Sequence, residues 1–248
     1  MKALILNIAF FTRLPLAKFA PYTDERYQKS IKWFPYVGLI IGLITALPNI
    51  MIELTGVQNM PYVYIALLNI VIYLGVSGGI HLDGFSDTLD GLLSGRTGER
   101  LFEIMKDSRM GAFGTIGLCL YFLTLYTFLQ DISLYAIILM PYIGKVCASF
   151  VAGLSKYPDG KEGMGRWFLE INTPLTSIIH IFIALALVAY FLSLQGSIAL
   201  GICLLMSLWT RAWVIGKLKG VTGDPIGFIV ESTHLIFIVI LQILVKLS

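Results

Sequence analysis

The sequence predicts an all-α integral membrane protein, a polytopic helical bundle of about seven transmembrane helices with acidic helices at its cytoplasmic face. Three observations predict it. Only 13% of the 248 residues are charged, half the ~25% of an ordinary soluble domain. Mean hydropathy is +0.82, and the apolar residues come in blocks of roughly 19–22, the length that crosses a ~30 Å hydrocarbon core. Lys and Arg recur in every second connection between those blocks.

The opening stretch MKALILNIAFFTRLPLAKF is a poor signal peptide, because its apolar run is short, Arg13 and Lys18 follow it, and no small-x-small cleavage site is present. It reads as a helix lying on the inner surface or packed against the bundle. Seven apolar blocks follow, near 34–52, 61–79, 112–130, 132–152, 174–193, 197–215 and 228–246. Residues 1–33 and the connections 80–111, 153–173 and 211–227 carry 16 of the 18 Lys and Arg, and those near 53–60, 131 and 194–196 carry none. The positive-inside rule then places the N-terminus in the cytoplasm and the C-terminus outside, in a multi-pass protein of the cytoplasmic (inner) membrane. Twelve of the 15 acids fall on the same inner side, so the chemistry is expected there. No repeat or soluble domain interrupts the pattern, and residues 1–248 read as one membrane-embedded catalytic domain. Cys119, Cys147 and Cys203 lie inside apolar blocks without metal-ligand spacing and read as small buried hydrophobes. The net charge of +3 is small, and no nucleic-acid partner is expected.

The richest stretch is 78–114, GGIHLDGFSDTLDGLLSGRTGERLFEIMKDSRMGAFG. Asp83, Asp87 and Asp90 stand at i, i+4 and i+7, on one face of a helix. Three like charges repel, and a divalent cation compensates them well; Mg²⁺ takes hard oxygen ligands and keeps water or phosphate in its remaining positions. A second helical stretch, Glu99 to Arg109, repeats the spacing with Glu103 and Asp107. If the SGRTG turn at 94–98 folds the two stretches into a hairpin, two acidic faces meet, as suits two metal ions in phosphoryl transfer. Arg96, Arg100, Lys106 and Arg109 are interleaved and suit phosphate oxygens. Glu99, Arg100 and Lys106 read equally well as a solvated ion-paired surface, and His81 is open to roles as metal ligand, phosphate donor or helix-start residue.

These residues resemble the signature of the cobalamin synthase family (adenosylcobinamide-GDP ribazoletransferase): Gly78-Gly79, His81-Leu82-Asp83-Gly84, Asp87-Thr88, Asp90-Gly91, Glu103, Met105 to Arg109, Gly111 and Phe113-Gly114. FFTRLPL (10–16), WFPYVGLIIG (33–42), VTGDPIG (221–227) and, more loosely, GMGRWF (163–168) extend the resemblance along most of the chain. It implies a membrane transferase that joins adenosylcobinamide-GDP to α-ribazole or its 5′-phosphate, yields adenosylcobalamin or its 5′-phosphate with GMP, and requires Mg²⁺. It leaves open a homo-oligomer or a complex with other enzymes of the cobalamin pathway. Asp87-Thr88-Leu89-Asp90-Gly91 also resembles the opening of the CDP-alcohol phosphotransferase motif, but the expected Ala-Arg is absent. A phospholipid-type alcohol phosphotransferase is therefore one alternative and a transporter using intramembrane charge is another.

On this reading Asp83, Asp87, Asp90, Glu103 and Asp107 are metal ligands, one of them an alternative general base. His81, Arg96, Arg100, Lys106, Arg109, Arg211, Thr222 and Asp224 are substrate-side candidates. Arg211 and Glu231 either pair with each other or border the substrate cavity, Lys145 is a similar intramembrane charge, and His180 and His234 read as packing or hydrogen-bonding residues.

Overall fold

The structure is a computed structural model that describes residues 1–56 and 60–248; within the 53–60 connection, residues 57–59 lie outside the described residues. Among the described residues twelve α-helices follow in order. They are α1 (Lys2–Phe11), α2 (Asp24–Ser30), α3 (Phe34–Thr45), α4 (Leu47–Thr55), α5 (Tyr62–Ser77), α6 (Ile80–Leu93), α7 (Gly98–Met105), α8 (Ala112–Leu129), α9 (Leu134–Gly153), α10 (Gly165–Ile171), α11 (Pro174–Leu218) and α12 (Gly223–Leu247). The all-α membrane architecture expected from the sequence is the one observed.

Helix α9 is the hub, packed against α3, α11 and α12, and Ile137, Tyr142, Ile143, Val146 and Ala148 along it are fully buried. The outward faces of α8 and α11 are apolar instead: Leu123, Phe182 and Leu205 are exposed. Such a surface is stable where the solvent is hydrocarbon and every backbone polar group is paired within a helix.

The span count differs from the seven expected. Four helices (α8, α9, α11 and α12) are individually long and apolar enough to cross, and six are reached if the bent pairs α2–α3 with α4, and α5 with α6, each count as one. Part of the difference lies in α11, whose 45 residues contain a break at Ser193, φ 58° and ψ −150°. Both ends of α11 return to the same end of α9: Ser177 Oγ donates to Ser149 O at 3.0 Å, and Arg211 Nε donates to Ser155 Oγ at 3.0 Å.

The turn that positions the site joins α5 to α6. Gly78 and Gly79 both adopt left-handed backbone, φ 65° and 67°, a conformation costly for residues with a Cβ. The chain bends by 94° there. Helix α5 is the apolar arm of this pair, and α6, bearing three aspartates, falls in the 80–111 connection that the sequence reading sets outside the apolar blocks. Helix α1 packs against α2 and α3 through buried Leu6, Ile8 and Phe11, which decides between surface and bundle for the N-terminal helix.

The interior charges are partnered. Glu231, 1% exposed on α12, accepts hydrogen bonds from Tyr73 Oη at 2.7 Å and Tyr121 Oη at 2.5 Å and lies 3.1 Å from His234 Nδ1. A buried carboxylate without partners is costly, so this cluster ties α5, α8 and α12 together. The alternative pairing of Glu231 with Arg211 does not form, since Arg211 is held by Ser155 and by the Leu154 carbonyl. Lys145 lies 5.2 Å above the Phe34 ring, a cation–π contact. His180 packs edge-on to Tyr36.

Candidate active site

Helices α6 and α12 cross with their backbones in contact. A Cβ on Gly84 would lie 2.8 Å from Asp224 O and 2.9 Å from Asp224 Cα, so only glycine allows the approach. The crossing brings Asp224, in the first turn of α12, to the acidic face of α6. Burial first, then the charges of Asp83, Asp224 and Asp90, push the Asp87 carboxyl up to about 7, while Lys106 pulls it down. Lys106 also acts on Asp224. Asp83, Asp87, Asp224 and Lys106 therefore form one electrostatic unit drawn from three parts of the chain.

The other predicted acids are engaged elsewhere. Asp90 accepts the backbone N–H groups of Gly111 at 2.8 Å and Gly114 at 2.9 Å. It thereby satisfies orphan donors at the start of α8 and puts negative charge at that helix's N-terminus. Glu103 accepts from Arg100 at 2.6 Å, and Asp107 takes the Arg109 guanidinium in a fork at 3.0 and 2.7 Å. Those Arg109 hydrogen bonds hold the Asp107 carboxyl down at about 2. The helix expected over 99–109 ends at Met105, so Asp107 lies beyond it. Buried Leu101 and Met105 face Gly91 of α6. Glu103, two residues on from Leu101, lies ~200° round the helix and is exposed, as is Glu99, which pairs with Lys161 at 2.6 Å. The apolar face of α7 takes the contact, and the second acidic face does not meet the first. Among the described residues no three His, Cys, Asp or Glu side chains converge enough to hold a metal on their own.

Beside Asp83 and Asp224 opens a cavity of about 250 Å³. Its walls come from Phe10 and Phe11 of α1, Tyr27 of α2, Phe34 of α3, His81, Asp83 and Gly84 of α6, Met164, Gly165 and Phe168 at α10, and Asp224, Ile226 and Gly227 of α12. The FFTRLPL, WFPYVGLIIG, HLDG, GMGRWF and VTGDPIG stretches, up to 217 residues apart, thus meet at one place. A second cavity of about 330 Å³ shares Phe10, Ile80 and Asp83 and includes Arg13.

Of the substrate-side candidates, His81 and Asp224 line the first cavity. Thr222 stands at the N-cap position of α12 without a side-chain cap bond and is buried with its hydroxyl unpartnered among the described residues. Arg96 is exposed in the α6–α7 turn, and Arg100 and Arg109 are exposed on their carboxylates. Arg211 sits at the end of α9 and lines neither cavity. Sequence reasoning used Arg13 only as a topology marker and did not find the aromatic walls. Asp224 was read for substrate, not as a partner of the α6 aspartates. Its Asp-Pro at the head of an apolar helix was the available signal.

Residues 3–242 match the cobalamin-5-phosphate synthase family. The chain belongs to that family. Among its relatives, the adenosylcobinamide-GDP ribazoletransferase of Clostridium botulinum (strain 657 / Type Ba4) is 37% identical, with 96% of each chain covered. That of Alkaliphilus oremlandii is 34% identical over 96% of this chain and 95% of its own, and that of Fusobacterium nucleatum 32% identical over 96% of each. No solved structure matches.

Proposed function

We propose that this cobalamin-5-phosphate synthase family member is an adenosylcobinamide-GDP ribazoletransferase. It joins adenosylcobinamide-GDP to α-ribazole, or to α-ribazole 5′-phosphate, to give adenosylcobalamin or its 5′-phosphate and GMP, the final step of cobalamin biosynthesis. The observation that carries the reading is the convergence of five distant stretches on one cavity bordered by Asp83 and Asp224. A ribose hydroxyl attacks the phosphorus that bears the cobinamide. The new O–P bond forms as the bond to the bridging diphosphate oxygen breaks, and GMP leaves with that electron pair. The hydroxyl proton passes to a carboxylate of the Asp83, Asp87 and Asp224 set.

The three carboxylates fit a Mg²⁺ ion that uses one or two protein ligands and do not fit an all-protein cage. Mg²⁺, when bound, would be held by Asp83 and Asp87 with Asp224 beside them, and would supply charge neutralisation on the diphosphate and its leaving group. Lys106 acts on the same set, Arg13 shares a cavity with Asp83, and the exposed Arg96, Arg100 and Arg109 are further candidates for phosphate oxygens. Arg100 and Arg109 are exposed, and ion pairs of that kind are weakly held. The active site and N-terminus face the cytoplasm of an inner membrane, on the distribution of Lys and Arg.

The test is turnover by the detergent-purified protein given adenosylcobinamide-GDP and α-ribazole with Mg²⁺. The proposal requires GMP and a cobalamin product in equal amounts. Absence of both, or efficient use of a CDP-alcohol instead, would overturn it.

A further inference from the structure

We infer that Arg13 binds the diphosphate of the nucleotide donor, and that residue 78 is glycine so that the Arg13 side chain can lie across the α5–α6 turn to reach it. This inference rests on the ribazoletransferase reading and adds which cation takes the donor's phosphates. Among the described residues, the cavity of about 250 Å³ has no Lys or Arg on its lining, and the cavity of about 330 Å³ has Arg13 alone. The larger volume, about 330 Å³, falls within the ~300–1,000 Å³ of small-molecule sites. Phe10, Ile80 and Asp83 line both cavities, so a ligand held at Arg13 lies next to the carboxylates.

Arg13 is fixed at its backbone and free at its tip. Its N–H donates to Val76 O at 2.7 Å, which ties the residue to the last turn of α5. The residue is exposed, and its side chain forms no ion pair among the described residues. Asp83 is exposed on the same lining, yet the two do not pair. A guanidinium and a carboxylate that share a cavity without meeting leave room for a ligand between them. The planar fork of Arg matches two phosphate oxygens, and the carboxylate stays available to a cation or to the hydroxyl proton. Arg100 and Arg109 are already on Glu103 and Asp107, which a diphosphate would have to displace.

Residue 78 meets two demands. Its φ of 65° is open to Asn as well as to glycine. The space around it is not, because a Cβ there would overlap Arg13 Nε and stand 2.9 Å from Cγ and 3.0 Å from Cδ. The Arg13 stem runs over the bare Cα of Gly78, and a side chain at that position lifts it off. Gly79 has the same backbone, φ 67°, but a Cβ there would meet only Leu82 Cδ1, at 3.9 Å. The strain of the turn and the contact with Arg13 can therefore be altered separately.

Titration of the detergent-purified protein with inorganic pyrophosphate and with adenosylcobinamide-GDP, both in millimolar Mg²⁺, tests this without turnover. Arg13→Gln should weaken both by roughly tenfold or more at an unchanged melting temperature. Arg13→Lys, which keeps the charge and loses the fork, should recover part of that loss. In turnover the KM for adenosylcobinamide-GDP should rise in Arg13→Gln, while the KM for α-ribazole, which carries no phosphate, stays the same. Gly78→Ala should weaken pyrophosphate binding in the otherwise unaltered protein and add nothing in the Arg13→Gln background. Gly79→Ala should cost similar stability with a smaller loss of affinity. No pyrophosphate binding by the unaltered protein, unchanged affinity in Arg13→Gln, a Gly78→Ala loss of equal size in both backgrounds, or an equal loss from Gly79→Ala would overturn the assignment. The ribazoletransferase reading is judged separately, by GMP release from the unaltered enzyme.

Discussion

Gly84 and Asp224 touch backbone to backbone, and that contact puts the only acid in the first turn of α12 beside the aspartates of α6. A methyl group on Gly84 would meet Asp224 O at 2.8 Å, and backbone cannot swing aside as a flexible side chain would. Gly84→Ala should force α6 and α12 apart, at the ~1–3 kcal/mol typical of overpacking. Turnover is expected to fall by more than the stability change accounts for, because Asp224 moves away from Asp83 and Asp87. Thermal unfolding in detergent and GMP release, measured on the same preparation, check this. Normal turnover in a destabilised protein would detach the crossing from the chemistry.

Asp90 and Asp87 should behave oppositely although they stand three residues apart on one helix. Asp90 satisfies two amides at the start of α8, and Asp90→Ala leaves buried donors unpaired at a cost of about 1–3 kcal/mol. Asp87 makes no such structural bonds among the described residues and is crowded by like charge. Asp87→Asn should leave the melting temperature unchanged or higher while abolishing most turnover. A stable Asp90→Ala protein would contradict the capping role.

The raised Asp87 carboxyl gives a signed pH dependence. Its ordinary value is 3.8 and in the folded protein it lies at about 7. The metal-free folded protein therefore holds a proton that the unfolded chain has released above pH 4. That stabilising contribution is complete below the ordinary value and is lost as pH rises through about 7. A cation needs the ionised carboxylate, so Mg²⁺ affinity should rise with pH up to about 7, with proton release on binding below it. Calorimetry in buffers of different ionisation enthalpy reads that proton. Mg²⁺ affinity independent of pH between 5.5 and 8, at roughly the span of one carboxylate titration, would count against Asp87 as a ligand.

Orientation is tested in the turn between α6 and α7. Thr97 is exposed and makes no side-chain cap bond. Thr97→Cys, in a Cys119→Ser background that removes the exposed native thiol, should resist an impermeant thiol reagent in intact cells and react after lysis. Efficient labelling of intact cells would reverse the topology.

What was legible in the sequence follows from the range of the forces involved. Hydropathy is local, so the apolar blocks and the helical i, i+4 spacing of Asp83 and Asp87 could be read directly, and α6 forms over Ile80–Leu93. The break at Ser193 and the bend at Gly78-Gly79 fall at the ends of the apolar blocks 174–193 and 61–79, but the 94° angle of that bend is set by backbone conformation and not by hydropathy. Partner choice was not legible. Asp90 looks like Asp87 in sequence, and only the approach of Gly111 and Gly114 turns it into a helix cap. Glu103 shares the spacing of a ligand, but the apolar side of α7, Leu101 and Met105, decides which way it points. Phe11, Phe34 and Phe168 are unremarkable in their own stretches and become a cavity wall only when the three helices meet.

The central claim is that the carboxylates of α6 and α12 form a cation-bridged diphosphate site. Unit charges 4 Å apart interact by about 4 kcal/mol at an effective dielectric near 20, so without a cation Asp83, Asp87 and Asp224 should repel a diphosphate more than Lys106 attracts it. Calorimetric titration of the purified protein with adenosylcobinamide-GDP, in millimolar Mg²⁺ and again in EDTA, measures this directly. Binding should be much tighter with Mg²⁺, by linkage Mg²⁺ should bind tighter with the nucleotide present, and Asp83→Asn should shrink the difference. Equal affinity in Mg²⁺ and in EDTA would contradict the site.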